Sequence, residues 1–252
     1  MTDTLFLACM AFLAGLVDSV VGGGGLIQIP ALFTVLPEAM PASIFGTNKF
    51  SSIFGTASAA WRYARRIDVP WRAALPAAVA ALPFSYLGAM AVSLLSRQVL
   101  RPLILALLIV VALYTLLRRD FGSIDARRRL GRREMWLAGC FGALLGFYDG
   151  FFGPGTGSLI IFVFVRFFGV DFLRASSAAK VVNVATNLAA LLYFAGHGQV
   201  LWLLASMMAA CNIAGAQCGS HLAMRHGNVF VRWIFLALAA ALIAKFGYDT
   251  LR

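Results

Sequence analysis

Apolar residues run through this 252-residue chain in long blocks, with the charged positions gathered between them. A helix that spans a bilayer needs about 20 apolar residues. Blocks of this kind recur along the whole length, among them Ala73–Leu95, Pro102–Leu117, Val181–Ala195 with its flanks, and Val229–Ala244. Two further blocks, Leu5–Leu36 and Met135–Phe168, are longer and are interrupted by glycine. The first breaks at Gly22-Gly23-Gly24-Gly25 and the second at Gly153-Pro154-Gly155-Thr156-Gly157. Each glycine costs about 1 kcal/mol in a helix interior, and Pro154 adds a break of its own. A continuous helix of 32 residues would reach roughly 48 Å, too long for a simple span. Each block therefore predicts two half-helices that meet at a glycine break.

The pattern repeats. At a shift of 131 residues the chain matches itself without gaps: Gly15, Asp18, Gly22 and Gly24 fall on Gly146, Asp149, Gly153 and Gly155. Further along, Lys49 falls on Lys180, Trp71 on Trp202, Gly88 on Gly219 and Arg101 on Arg232. The expected fold is an all-α polytopic membrane protein of two homologous repeats, residues 1–117 and 135–252. Each repeat holds one discontinuous, re-entrant helix and three transmembrane helices. A basic cytoplasmic linker, 118–134, joins them. If both broken elements turn back, the second repeat is inverted relative to the first. Arg62–Arg72, Arg118–Arg133, Arg166, Arg174, Arg225 and Arg232 then share one side. Basic residues favour the cytoplasmic side of a membrane, so the inverted arrangement is preferred over one in which both elements cross.

Composition agrees: 61% of residues are hydrophobic and 12% charged, against about 25% charged in a soluble domain. The net charge of +11 does not imply nucleic acid, because the arginines sit in short loops where they set orientation. Cys9, Cys140, Cys211 and Cys218 lie within apolar runs, lack metal-binding spacing, and are expected to act as small residues in packed helices. The first apolar run lacks a basic leader and a cleavage site and is expected to be retained. Trp71 and Trp202 are expected to anchor span starts at the interface. Gly88 and Gly219 are expected to let helices pack closely, and His197, His221 and His226 to be interfacial.

Four charged residues fall inside spans: Asp18, Lys49, Asp149 and Lys180. An ionisable group at membrane depth costs about 2.5–3.5 kcal/mol on insertion scales, so retaining the same two types twice implies partners, a function, or both. Only three of the 21 basic residues are lysines, and two of them hold these sites. Lys49, Ser52 and Thr56 share one helix face, and Lys180, Asn183 and Asn187 stand at the matching positions. Thr47, Asn48, Ser51 and Ser177 add polar groups nearby. Such a face needs a wet cavity. Half-helix N-termini at Gly23, Gly24, Gly155 and Thr156 would add backbone N–H donors and partial positive charge. The expectation is an electropositive pocket in which Lys49 and Lys180 bind an anion, with Asp18 and Asp149 as ion partners or proton acceptors. A structural alternative is that Asp18–Lys49 and Asp149–Lys180 are buried ion pairs that fix helix positions. Gln28, Asn212 and Gln217 are equally explained by a cavity or by helix–helix hydrogen bonds.

Gly15-x-x-Asp18 followed by Gly22-Gly23-Gly24-Gly25 and Thr47-Asn48-Lys49 resembles the sulfite exporter TauE/SafE family, also named the toluene sulfonate uptake permease family. Gly146-Phe147-Tyr148-Asp149-Gly150 through Gly153-Pro154-Gly155-Thr156-Gly157 resembles its second repeat, as does Ala178-Ala179-Lys180-Val181-Val182-Asn183. The resemblance implies export or uptake of sulfite, organosulfonates or related sulfur-containing anions, driven by an ion gradient. No phosphate-binding motif of the Walker type is present. The expected function is a secondary transporter of the cell inner membrane that is not an enzyme, with no cofactor and no metal. Its expected partners are a small sulfur-containing anion and the lipid bilayer, with no nucleic acid and a homo-oligomer left open. An anion channel is the nearest alternative, and a membrane enzyme using the paired Asp and Lys or a non-transporting scaffold are the others.

Overall fold

The computed structural model describes residues 2–96, 98–100, 102, 103, 106, 109, 110 and 131–226. The linker up to residue 130, the span Val229–Ala244 and most of Pro102–Leu117 lie outside the described residues. No strand occurs among those described. Eight helices are followed here: α1 (Thr2–Val21), α2 (Gly25–Val35), α3 (Pro41–Ala64), α4 (Trp71–Ser93), α5 (Arg132–Phe151), α6 (Thr156–Phe168), α7 (Phe172–Gly196) and α8 (Trp202–His226).

Local chemistry sets the boundaries. α1 stops at Gly22, whose φ of +80° is a left-handed conformation that glycine adopts without penalty. The second break uses two such residues, Gly153 and Gly155, on either side of Pro154. Pro41 opens α3 at a position where the missing N–H costs nothing, and Asp171 caps α7 by accepting from Arg174 N at 3.0 Å. α2, α3 and α4 begin at residues 25, 41 and 71, and α6, α7 and α8 at 156, 172 and 202, the same offset of 131 each time. The first arms, α1 and α5, have 20 residues each, about 30 Å. The second arms are shorter, with 11 and 13 residues.

Among the described residues three helices, α1, α4 and α7, are long and apolar enough to cross a membrane. α4 shows what solvent the surface is built for. Its large residues Leu75, Val79, Phe84, Leu87 and Met90 face outward while Ala73, Ala74, Ala77, Ala78 and Ala81 are buried. Large apolar side chains outside and small ones inside suit lipid, because close backbone approach drives helix association there. α4 packs along α5 and α1 along α8, while α7 lies against α3 and α4, and α8 against α3. Gly142, Gly146 and Gly150 on α5 rest on the backbone of Ala77, Ala81 and Ser85. On the other seam, Gly215 and Gly219 rest on Phe12 and Leu16, and Gly15 on Asn212. Gly88 lies against the backbone of Phe147 and Phe151, so it and Gly219 both sit at tight helix crossings. Trp71 and Trp202 are each the first residue of a helix and are half exposed.

The cysteines differ from expectation. Cys9, Cys140 and Cys218 lie on outer faces and Cys211 is half-buried; glycine and alanine fill the seams instead. Two polar contacts join helices to loops distant in sequence. Arg174 bridges to Asp68 at 2.7 Å, and Leu201 N donates to Thr47 Oγ1 at 3.0 Å.

Candidate functional site

The two helix breaks meet. A methyl group on Gly22 would come within 2.5 Å of the Gly157 backbone, and one on Gly157 within 2.5 Å of Gly22 Cα. Only paired glycines permit this approach. Ser158 reaches across it, its N–H donating to Gly22 O at 3.3 Å and its hydroxyl to Val21 O at 2.6 Å. The amino end of α6 thus closes the carboxyl end of α1, aligning two helix dipoles head to tail.

Around this junction the four intramembrane charges pair across the halves of the chain, not within them. Lys49 Nζ lies 2.6 Å from Asp149 Oδ2, and Lys180 Nζ lies 3.2 Å from Asp18 Oδ2. The alternative pairing, Asp18 with Lys49 and Asp149 with Lys180, is therefore corrected. Residues 131 positions apart exchange partners because the breaks abut and each aspartate ends beside the lysine from the other half of the sequence. Two ammoniums facing two carboxylates also make the side chains of the site neutral, where a net electropositive pocket was expected.

A cavity of about 20 Å³ lies between them, lined by Asp18, Gly22, Gly25, Asn48, Lys49, Ser52, Thr56, Asp149, Gly153, Gly157, Asn183 and Asn187. That volume holds about one water molecule. Of the candidate residues, Asp18, Asn48, Lys49, Ser52, Asp149, Asn183 and Asn187 are brought together here. Lys180, Thr47, Gly23, Gly24, Gly155 and Thr156 do not line it. Lys180 is fully buried and also donates to the main-chain oxygen of Asp18. Thr47 accepts from Leu201 N, and the Thr156 hydroxyl donates to Gly153 O at 2.7 Å. Gly24 N points at Asp18 Oδ1 at 3.4 Å, so the amino end of α2 serves an internal carboxylate. At the two helix ends expected to face an anion, Gly24 N, Thr156 N and Ser158 N are directed to acceptors of the chain itself.

Thr56 belongs to the predicted stripe and donates to Asp18 Oδ2 at 3.3 Å. Gly153 gives Lys49 its room: a methyl group there would sit 3.1 Å from Nζ. Lining glycines Gly22, Gly25, Gly153 and Gly157 flank those picked from the sequence; composition marked the breaks but not which members turn toward the cavity. Gln28 donates to Ser51 Oγ at 3.0 Å and accepts from Ser52 Oγ at 3.4 Å, fastening α2 to α3. Asn212 donates to Ala11 O at 3.2 Å and Gln217 bonds Arg62 and Ser58, so both join helices outside the cavity. Tyr148 was missed; its hydroxyl donates to Pro154 O at 2.8 Å and braces the second break. Among the described residues no cluster of metal-binding side chains occurs. A larger cleft of about 570 Å³, lined by Trp61, Arg62, Arg65, Arg66 and Gln217, opens at the end of α3.

Comparison with known proteins returns membrane proteins throughout. A probable membrane transporter protein, ORF9, of Sinorhizobium is 37% identical over 240 residues, covering 95% of this chain and 90% of its own. A probable membrane transporter protein of Haemophilus influenzae is 34% identical over 244 residues, covering 96% and 94%. The probable membrane transporter protein YfcA of Escherichia coli is 34% identical over 241 residues, covering 96% and 88%. No solved structure gives a significant match. The family model described as Sulfite exporter TauE/SafE matches residues 7–246, and the chain belongs to that family.

Proposed function

We propose that this protein is a secondary transporter that carries a small sulfur-containing anion, sulfite, an organosulfonate or a related species, across the bacterial inner membrane. The observation that carries this reading is the cross-half pairing of buried Lys49 with buried Asp149, and of buried Lys180 with half-buried Asp18, beside a polar cavity. Breaking one partner of a buried pair costs about 3–5 kcal/mol, and hydrophobic residues would hold the same helices without that liability. Charges retained at this depth mark a pathway. Lys49, Asn48, Ser52, Asn183 and Asn187 are the groups offered to the anion, Lys180, Thr47, Gly23, Gly24, Gly155 and Thr156 support them, and Asp18 and Asp149 couple transport to a proton gradient. The cavity admits a sulfur oxyanion only when the two halves part, as alternating access requires.

Two inverted repeats with re-entrant helices are the architecture proposed for this movement. Three facts support it: the constant offset of helix starts, the packing of α2 back against α1, and the loop contacts. Asp68 and Arg174 share one end of the molecule, and Thr47, in the second turn of α3, accepts from Leu201, the residue before α8. Inverted repeats with returning broken helices put the members of each pair on one side. Parallel repeats with crossing elements put them on opposite sides.

Reconstitution into liposomes tests the function. Saturable uptake of sulfite, thiosulfate or a small sulfonate, accumulated against its gradient and lost in Lys49→Gln, is the expected result. Flux that neither saturates nor accumulates would identify a channel, and no flux of any of these anions would refute the assignment.

A further inference from the structure

We infer that the coupling proton binds at Asp149, and that Lys49, not Lys180, is the ammonium the transported anion takes from its carboxylate. This rests on the carrier reading above and adds an asymmetry that the repeat itself hides.

The two ion pairs come from equivalent positions but differ in their surroundings. Asp18 receives several donors: Lys180 Nζ at 3.2 Å, Thr56 Oγ1 at 3.3 Å and Gly24 N at 3.4 Å. Lys180 is fully buried, donates as well to the Asp18 main-chain oxygen, and does not line the cavity. This pair ties the last turn of α1 to α7. Asp149 is 4% exposed, and its carboxylate has one donor among the described residues, Lys49 at 2.6 Å. Both Lys49 and Asp149 line the cavity. A carboxylate with several hydrogen-bond donors stays ionised, whereas a buried one that loses its only ammonium is left uncompensated. It then neutralises by taking up a proton.

The step balances simply. An oxygen of the anion accepts the Lys49 N–H; Asp149 Oδ2, released, forms an O–H bond with a proton from the water on the open side. No covalent bond of the anion changes. On the far side that proton returns to water, Asp149 recaptures Lys49, and the anion leaves. One monoanion and one proton move together without net charge. The charged and titratable groups around Asp149 are Lys49 on α3, Asp18 on α1 with Lys180 on α7 bound to it, and Tyr148 on its own helix, engaged with Pro154. α4 presents Ser85 and Gly88 to α5, and α6 begins with Thr156 and Gly157, none of them charged.

The test uses the full chain in proteoliposomes with an entrapped pH dye; methanesulfonate, a monoanion at every working pH, reads the proton ratio and the voltage dependence, and sulfite and thiosulfate serve as further probes of transport. For one proton per monoanion, a gradient of one pH unit sustains about tenfold accumulation. Wild type is expected to reach this, with coupled proton flux and no voltage dependence. Asp149→Asn is expected to lose accumulation and proton flux while still exchanging internal for external anion at equal pH. Asp149→Asn that accumulates anion with wild-type proton flux would overturn the assignment. So would a folded variant that loses exchange as well, since Asp149 would then belong to anion binding. Should the variant not fold, the wild-type ratio decides: zero protons per monoanion refutes the proposal. Wild type that carries none of the three anions would instead defeat the carrier reading itself.

Discussion

Lys180 joins α7 to the last turn of α1. Its ammonium lies fully buried against both the carboxylate and the main-chain oxygen of Asp18. Lys180→Met would leave the Asp18 carboxylate with only Thr56 and Gly24 as donors. A fully buried pair broken on one side costs about 3–5 kcal/mol; the Asp18 side chain is 19% exposed, so the loss is smaller, and thermal unfolding in detergent should still show it. Adding Asp18→Asn to that variant removes the stranded charge and should recover part of it. Lys49→Gln should act on function: transport falls away, because Lys49 is the ammonium at the cavity that is offered to the anion. The sequence identified all four charged residues, because a charge in an apolar run is visible without coordinates. It did not assign their partners.

The broken helices carry the strictest local requirement. Gly22 is held at a φ of +80° and within 2.5 Å of the Gly157 backbone if a methyl is added. Gly22→Ala therefore meets strain and a clash together, and should reduce the yield of folded protein sharply in size-exclusion chromatography. Gly139→Ala in α5 is the control. Its added methyl meets only the Ala80 side chain at 4.0 Å, and alanine is favoured over glycine in a helix by about 1 kcal/mol. Its thermal stability should be unchanged or raised. Both breaks were legible in the sequence from glycine content alone. The outer ends of the arms were legible too, since the apolar blocks Leu5–Leu36 and Met135–Phe168 end within three residues of the helices.

At the scale of the molecule the halves are interleaved: α4 of the first packs on α5 of the second, and α8 of the second on α1 of the first. The Asp68–Arg174 bridge and the Thr47–Leu201 bond then predict sidedness. In a cysteine-free background, cysteines replacing Asp68 and Arg166 should react with a membrane-impermeant maleimide from the same side. One replacing His197, in the turn before Leu201, should react from the other. Labelling of Asp68→Cys and Arg166→Cys from opposite sides would exclude the inverted arrangement.

Apolar block length, glycine clustering and the isolation of four charges in lipid-compatible helices were determined by the sequence alone. Each follows from the cost of putting a residue type in a helix or in a bilayer. The partner of each lysine was decided only in three dimensions, because the pairs join residues 100 and 162 positions apart. Such distances depend on how close glycine seams let the helices come. The inequality of the two half-sites arises there too: Lys180 closes a helix end while Lys49 stands over a glycine bend at the edge of the cavity.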